Sequence, residues 1–303
     1  MPPYPAVLAA NAKNAPTGIR PVAVLVGGTS GVGRGVAEVL GKYAQGNARL
    51  ILVGRSKDAA DAIFATLPKP VGDSKYEFVA CDAASMRSVG AVTRELSTRL
   101  DKINYLVLSP GLLSMSGRTA TEDGVDYKIA LHYYARFKFT YDLMPLIEKA
   151  AEAGEPARVL SMLDAIRGTA TVPFPNDLTL LNNYSIANAA ATAITYNDAM
   201  VKGFAKRYPN ISFTHALPGV VSTNIHRSLP FGARQIAGLI GGIFGMSVTE
   251  CGEYMSSLLF DPSHAAGAFF ATDKADPVKN KAQLSDADVE LVWKHSLEIC
   301  EGK

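Results

Sequence analysis

The sequence predicts an α/β fold, a doubly wound parallel sheet of seven strands with helices on both faces. Three observations predict it. Short, wholly apolar runs recur along the chain, each of the first six is followed by a segment long enough for a helical crossover, and the first runs into a glycine-rich turn. A strand buried on both faces loses the polar alternation of a half-exposed one, which is the pattern these runs show.

In order, the runs are Val22 to Val26, Leu50 to Val53, Tyr76 to Ala80, Tyr105 to Leu108, Arg158 to Met162, Ile211 to Ala216 and Ala268 to Ala271. Helical patterns fill the gaps, among them Val32 to Tyr43, Asp58 to Leu67, Ser85 to Leu100 and Val125 to Ala153. The length of 303 residues allows one domain or two. No composition shift cuts the middle, so residues 21–276 read as one domain. An N-terminal extension (1–20) precedes it and a C-terminal tail with a helix (277–303) follows.

With 48% hydrophobic and 19% charged residues the chain can bury a sizeable core, and 30 basic residues against 28 acidic ones leave a net charge of only +2. Lacking a dense Lys/Arg block, it does not read as a nucleic-acid binder. Cys81, Cys251 and Cys300 are far apart and show neither a disulfide framework nor a zinc spacing, which suits a reducing compartment. The start, MPPYPAVLAANAK, is wrong for a secretory signal, and the longest apolar run, Ile236 to Met246, has 11 residues with four glycines, too short to span a bilayer. A cytoplasmic protein is the expectation.

The first strand leads through Val26-Gly27-Gly28-Thr29-Ser30-Gly31-Val32-Gly33-Arg34-Gly35 into an amphipathic helix. Glycines let the backbone turn sharply and approach a pyrophosphate, which free N–H groups and the positive helix end then hold. Gly27, Thr29, Ser30, Gly31, Val32 and Gly33 are the candidate ligands, and a glycine-rich turn without a ligand is the alternative. After the second strand the chain reads Val53-Gly54-Arg55-Ser56, with Arg55 where an acidic residue would take a ribose 2′-hydroxyl. A guanidinium there favours a 2′-phosphate, so NADP(H) is preferred to NAD(H), with Ser30 and Arg34 as helpers. The plainer reading of Arg55 is a solvated surface residue.

On these residues the chain resembles the short-chain dehydrogenase/reductase family over Pro21 to Thr272, and in detail a divergent fungal branch of it. The TGxxxGxG loop is matched by Val26 to Gly33, with Val26 for Thr. Cys81-Asp82-Ala83 is similar to the stretch holding the adenine-contacting Asp, Ser109-Pro110-Gly111 stands where Asn-Ala-Gly is usual, and Pro218-Gly219-Val220-Val221-Ser222-Thr223 resembles PGxVxT. The resemblance implies a Rossmann fold and a nicotinamide dinucleotide held also by Asp82, Ala83, Ser109, Pro110, Gly111, Pro218, Gly219, Val221 and Thr223. It further implies a homodimer or homotetramer.

The family's catalytic set is degenerate here. Tyr184-Ser185-Ile186-Ala187-Asn188 takes the YxxxK position with Asn for Lys, and no lysine occurs between Lys149 and Lys202. Without a neighbouring ammonium to stabilise its phenolate, Tyr184 is expected to be a poor base for oxidising alcohols, yet still able to donate a proton. Asp164, or Leu163, falls at the serine position, and His132 at that of the asparagine. Asp164 reads equally as an acid or cation stabiliser beside an apolar pocket and as a carboxylate capping a turn. His132 reads as a proton relay or, in the plainer view, as a helix-packing histidine. Asn188 is a candidate ribose partner, since an amide both donates and accepts.

After the PGxVxT-like stretch, residues 224–247 are pliable and greasy, as a lid over a bulky apolar substrate would be. A buried helix at a subunit interface is the competing reading. The leading function is an NADP(H)-dependent oxidoreductase reducing a carbonyl or imine of a hydrophobic small molecule with a non-standard proton donor. The alternatives are a non-redox cyclase or isomerase on the same fold and a catalytically silent NADP-binding protein.

Overall fold

The computed structural model describes residues 2–223, 232 and 245–301. Most of the lid segment, 224–231 and 233–244, lies outside them. The seven strands are β1 (Val22–Val26), β2 (Arg49–Gly54), β3 (Lys75–Ala80), β4 (Tyr105–Leu108), β5 (Arg158–Met162), β6 (Ser212–Ala216) and β7 (Gly267–Ala271). They form one parallel sheet in the order β3-β2-β1-β4-β5-β6-β7. Every apolar run of the sequence is a strand, and the Rossmann arrangement is the one it predicts.

Polar caps set where helices begin. Ser56, Ser85, Asp126, Ser185 and Ser247 each accept a first-turn backbone N–H with their side chains, opening α3 (Lys57–Phe64), α4 (Met86–Arg99), α5 (Tyr127–Ile129), α7 (Ile186–Arg207) and α8 (Val248–Phe260). The short α5 runs through a π-turn at Ala130–Tyr134 into α6 (Ala135–Glu152). Helices α4, α6 and α7 cover one face of the sheet; α2 (Gly31–Ala44), α3 and α8 cover the other. Among the described residues no helix is long and apolar enough to cross a membrane.

Both segments flanking residues 21–276 pack against them. In the N-terminal one, helix α1 (Tyr4–Asn14) buries Asn11, whose amide donates to Glu253 Oε2 at 2.8 Å and to the Glu253 carbonyl at 2.9 Å. Glu253, fully buried on α8, also takes Lys42 Nζ at 2.8 Å and the Tyr43 hydroxyl at 3.1 Å, so its charge is matched rather than stranded. The C-terminal helix α9 (Asp286–Glu301) inserts Trp293 against Phe204, ring centroids 4.7 Å apart. Its Ser296 and His295 meet the hydroxyls of Tyr133 and Tyr134 at 2.5 and 2.7 Å, placing both tyrosines in the core.

The parallel order reverses direction between β1 and β4, and a doubly wound sheet opens its ligand crevice at the carboxyl edge of such a point. Close approach of α2 to α8 sets one flank of that edge. A Cβ on Gly252 would sit 2.4 Å from the Gly35 carbonyl oxygen and one on Gly35 2.3 Å from that of Val248, so neither helix can carry a side chain there. Gly252→Ala should therefore cost about 1–3 kcal/mol through overpacking, read as a lowered urea midpoint with an unchanged slope.

Candidate active site

At this point of the sheet a cleft of about 880 Å³ opens between the ends of β1, β2 and β4. Its floor is the glycine loop folded onto the end of β4. Gly27 has φ of +77°, and a Cβ there would lie 2.8 Å from Ser109 Oγ; a Cβ on Gly33 would meet the same oxygen at 2.2 Å and the Gly27 carbonyl at 2.5 Å. Ser109 Oγ instead donates to the Val26 carbonyl at 3.1 Å, tying β4 to β1. At the start of α2 the Ser30 side chain makes no capping bond, and no acidic residue stands in the first turn. The first amides of α2 are thus left without a side-chain partner where Gly31 and Val32 line the cleft, which suits a pyrophosphate.

Along the same wall stand Thr29, Ser30, Arg55, Asp82 and Ala83. Arg55 is exposed and, among the described residues, no carboxylate pairs with it, whereas Arg34 Nε is held by Glu38 Oε1 at 2.7 Å. Asp82 Oδ1 accepts the Ala84 N–H at 3.0 Å, which fixes the carboxylate at the cleft edge. Ser109, Pro110, Gly111 and Thr223 complete the lining on this side. Gly33 lies beneath the floor. Pro218, Gly219 and Val221 stand behind Thr223: the Pro218 carbonyl is near Cys251 Sγ at 3.5 Å, Gly219 adopts φ +75° against Asp273, and Val221 bridges to Met246. Asn188 is away from the cleft lining; its amide donates to the Asn183 carbonyl at 2.7 Å and closes the turn that carries Tyr184.

None of Tyr184, Asp164 and His132 lines the cleft directly. Tyr184 is half-buried at the entry to α7, and its hydroxyl is buried without a hydrogen-bond partner among the described residues. The nearly buried Asp164 accepts the N–H groups of Ile166 at 3.0 Å and Arg167 at 3.1 Å and pairs with the Arg167 guanidinium, all within its own turn. His132 sits in the π-turn, where its Nε2 accepts the Leu112 N–H at 3.1 Å, which places the ring proton of the neutral form on Nδ1. The residue as a whole is half-buried. Desolvation, then the nearby Arg136 charge, push its pKa down to about 4, so it is uncharged at neutral pH.

Three residues that the sequence reading passed over organise this region. Arg136, fully buried, donates from Nη1 to the Leu108 carbonyl (3.1 Å), Ser161 Oγ (2.8 Å) and the Met162 carbonyl (3.0 Å), and from Nη2 to the Pro110 carbonyl (2.8 Å). Asn197 of α7 takes the Ser161 hydroxyl at 2.7 Å and gives its amide to the His132 carbonyl at 2.8 Å. Lys128 of α5 lines the cleft, and its Nζ stands 5.5 Å from the centre of the Tyr184 ring. The expectation that Tyr184 has no ammonium beside it is therefore corrected: the cation comes from α5, a different element from the helix carrying the YxxxK position. The one local signal was an arginine inside the otherwise apolar run Tyr133 to Phe137.

Residues 21–230, more than half of the chain, match the short chain dehydrogenase family, and the chain belongs to it. An oxidoreductase of Emericella nidulans, AN1596, is 33% identical over 204 residues, which cover 67% of this chain and 59% of that protein. Human polyprenol dehydrogenase is 23% identical over 224 residues, 73% of this chain and 66% of the relative. The chain thus spans less than two thirds of the length of these relatives. Among solved structures, NADPH-bound carbonyl reductase from chicken fatty liver superposes with a TM-score of 0.58 at 17% identity over 86% of this chain and 98% of that one. L-sorbose reductase from Gluconobacter frateurii, complexed with NADPH and L-sorbose, gives 0.61 at 18% identity over 88% and 99%. The two structures share this fold.

The His132 ring links the site to acid stability. Its folded value near 4 lies below the 6.5 of a free imidazole, so the unfolded chain takes up the proton first. The contribution is fully present above pH ~6.5 and is lost as the pH falls towards 4, to a limit of ~3 kcal/mol. His132→Asn should flatten the dependence of the urea midpoint on pH across that window.

Proposed function

We propose that the protein is an NADP(H)-dependent reductase that converts a carbonyl or imine of a hydrophobic small molecule, with Tyr184 as proton donor. The observation that carries the proposal is the cleft wall, where a glycine floor, first-turn amides without a side-chain cap and Arg55, unpaired among the described residues, follow one another in the order that a pyrophosphate and a 2′-phosphate require. When bound, the dinucleotide would supply a hydride to the electrophilic carbon. The chain's own part is to hold it, exclude water and deliver a proton to the heteroatom. A buried hydroxyl without a partner costs about 1–3 kcal/mol, so a substrate oxygen or nitrogen is the natural acceptor for Tyr184.

An apolar substrate is supported by where the surface is greasy. Of the seven exposed large hydrophobic residues among those described, Leu113, Met115, Ile166, Leu181, Ile186 and Val220 all follow the carboxyl ends of β4, β5 and β6, the edge at which the cleft opens. Only Val71 lies elsewhere. The likeness to a polyprenol dehydrogenase agrees with this reading. Asp164, engaged by three bonds in its own turn, serves as a structural carboxylate.

Two measurements test the proposal. Arg55→Ala should weaken NADPH binding about 10–100-fold, the worth of one or two charge-assisted bonds, and leave NADH affinity unchanged; fluorescence titration reads both, and equal affinities in the parent protein would defeat the assignment. In steady-state reduction of an apolar ketone, Tyr184→Phe should lower kcat about 100-fold or more. Asp164→Asn should keep kcat within a few-fold while lowering the melting temperature.

A further inference from the structure

Where the family places a lysine one helical turn after the tyrosine, this chain has Asn188, whose side chain is committed to the Asn183 carbonyl. The ammonium that does stand by Tyr184 belongs to Lys128, 5.5 Å from the ring centre and only 7% exposed. Its other contacts show what it is free to do. Nζ donates to the Gly117 carbonyl at 3.0 Å and lies 3.5 Å from Asp126 Oδ2. An ammonium has three protons, and among the described residues no third acceptor takes the last. The Asp126 carboxylate, for its part, is met by backbone donors: Oδ1 accepts the Lys128 N–H and Oδ2 the Thr119 N–H, each at 3.0 Å. Its charge is shared among several donors, and the lysine keeps a cationic side towards the cleft it lines.

On the reductase reading above, we propose that Lys128 is the positioning residue for Tyr184, supplying from α5 the positive charge that stabilises the phenolate formed when the tyrosine gives up its proton. The step is a single proton transfer. The Tyr184 O–H bond breaks, a bond from hydrogen to the substrate heteroatom forms, and the phenolate left behind regains a proton from water. A nearby positive charge favours the ionised form of an acid; Nζ stands 5.5 Å from the centre of the ring over which a phenolate's charge spreads, and the low exposure of Lys128 limits screening of that charge by solvent. Lys128 acts through Tyr184 and need not touch the reacting atoms.

The test uses Lys128→Gln, which keeps a donor for the Gly117 carbonyl and removes the charge, and Lys128→Arg, which keeps the charge. On cofactor-free protein at mildly alkaline pH, tetranitromethane nitrates phenolates, and mass spectrometry reads each tyrosine separately. Nitration of Tyr184 should slow several-fold in Lys128→Gln and stay close to the parent rate in Lys128→Arg, with the other tyrosines as internal controls. In turnover, Lys128→Gln should lower kcat while KM and the NADPH Kd change less than about twofold, and the loss should vanish in a Tyr184→Phe background, as coupling between the two residues requires. Unchanged nitration, a loss additive with Tyr184→Phe, or a loss confined to NADPH affinity would each overturn the proposal. Absence of reductase activity in the parent protein would defeat the reading of function instead, and the nitration arm would still decide the role of Lys128. If Lys128→Gln fails to fold, the Asp126→Asn variant replaces it: freeing the ammonium of its carboxylate should then raise the nitration of Tyr184, and no increase would count against the proposal.

Discussion

The guanidinium of Arg136 is the constraint on which the carboxyl edge of the sheet depends. Four bonds run from its two terminal nitrogens to the ends of β4 and β5 and to the Pro110 carbonyl in the cleft floor. Strand ends at a ligand crevice would otherwise leave carbonyls turned towards a dry interior, and a planar fork satisfies several of them at fixed angles. Burial lowers its pKa to about 9 and still leaves it charged at neutral pH. Among the described residues no carboxylate neutralises it, so carbonyl dipoles and one hydroxyl carry the compensation. A lysine could not reproduce this, since a point charge cannot fork.

From that anchor the electrostatics of the site follow. Lys128, His132 and Arg136 recur at four-residue intervals through α5, the π-turn and α6, and both cations act on the imidazole, Arg136 more strongly than Lys128. The histidine stays neutral chiefly because it is desolvated, and the charges of Arg136 and, more weakly, Lys128 add to that. What results is a cleft with Lys128 in its lining and Arg136 buried beneath the Pro110 carbonyl, while the glycine-loop side offers first-turn amides without a side-chain cap and Arg55. Such a surface favours anions, whether resident phosphate or charge that develops during a proton transfer. Asn197 joins this stripe to α7 through the His132 carbonyl and to β5 through Ser161. The helix that bears Tyr184 at its entry is thereby fixed relative to the strand ends.

The fold and the glycine-loop side of the cleft were legible in the sequence because their determinants are local. Val22 to Val26 running into Gly27 and Gly33 states a strand, a turn and a helix start within a dozen residues, and Arg55 follows a second strand in the same way. The surroundings of Tyr184 were not, because its neighbours come from separate elements. Lys128 meets Tyr184 only through the packing of α5 against the entry to α7, and nothing in Asp126-Tyr127-Lys128 announces it. Asp164 was ambiguous for the opposite reason. A carboxylate at a strand end looks alike in sequence whether it faces a substrate or its own turn, and only the N–H groups of Ile166 and Arg167 separate the cases. The N-terminal segment reads only as an extension because the buried Glu253 that receives Asn11 lies on α8, far along the chain.

Asn188 shows how the two halves of the site came to depend on each other. In a helix opening with Ser185, whose hydroxyl already caps the Asn188 N–H at 3.0 Å, a side chain at position 188 can reach either inward or back over the preceding turn. Here the amide reaches back to Asn183, and Asp177 holds the same loop by accepting the N–H groups of Leu181, Asn182 and Asn183 at 2.8–2.9 Å. Desolvation is the largest single influence and raises the Asp177 pKa, but these bonds together outweigh it and hold the carboxyl below its ordinary range, so the loop is tied by a carboxylate that stays ionised. The turn before Tyr184 is thus fixed by neutral and acidic groups alone. A lysine at 188 would bring charge but leave the Asn183 carbonyl unbonded; an asparagine closes the turn and leaves the charge to be supplied from elsewhere. Lys128, on the short α5 that runs through the π-turn into the helix carrying Arg136, is the cation that stands over the Tyr184 ring.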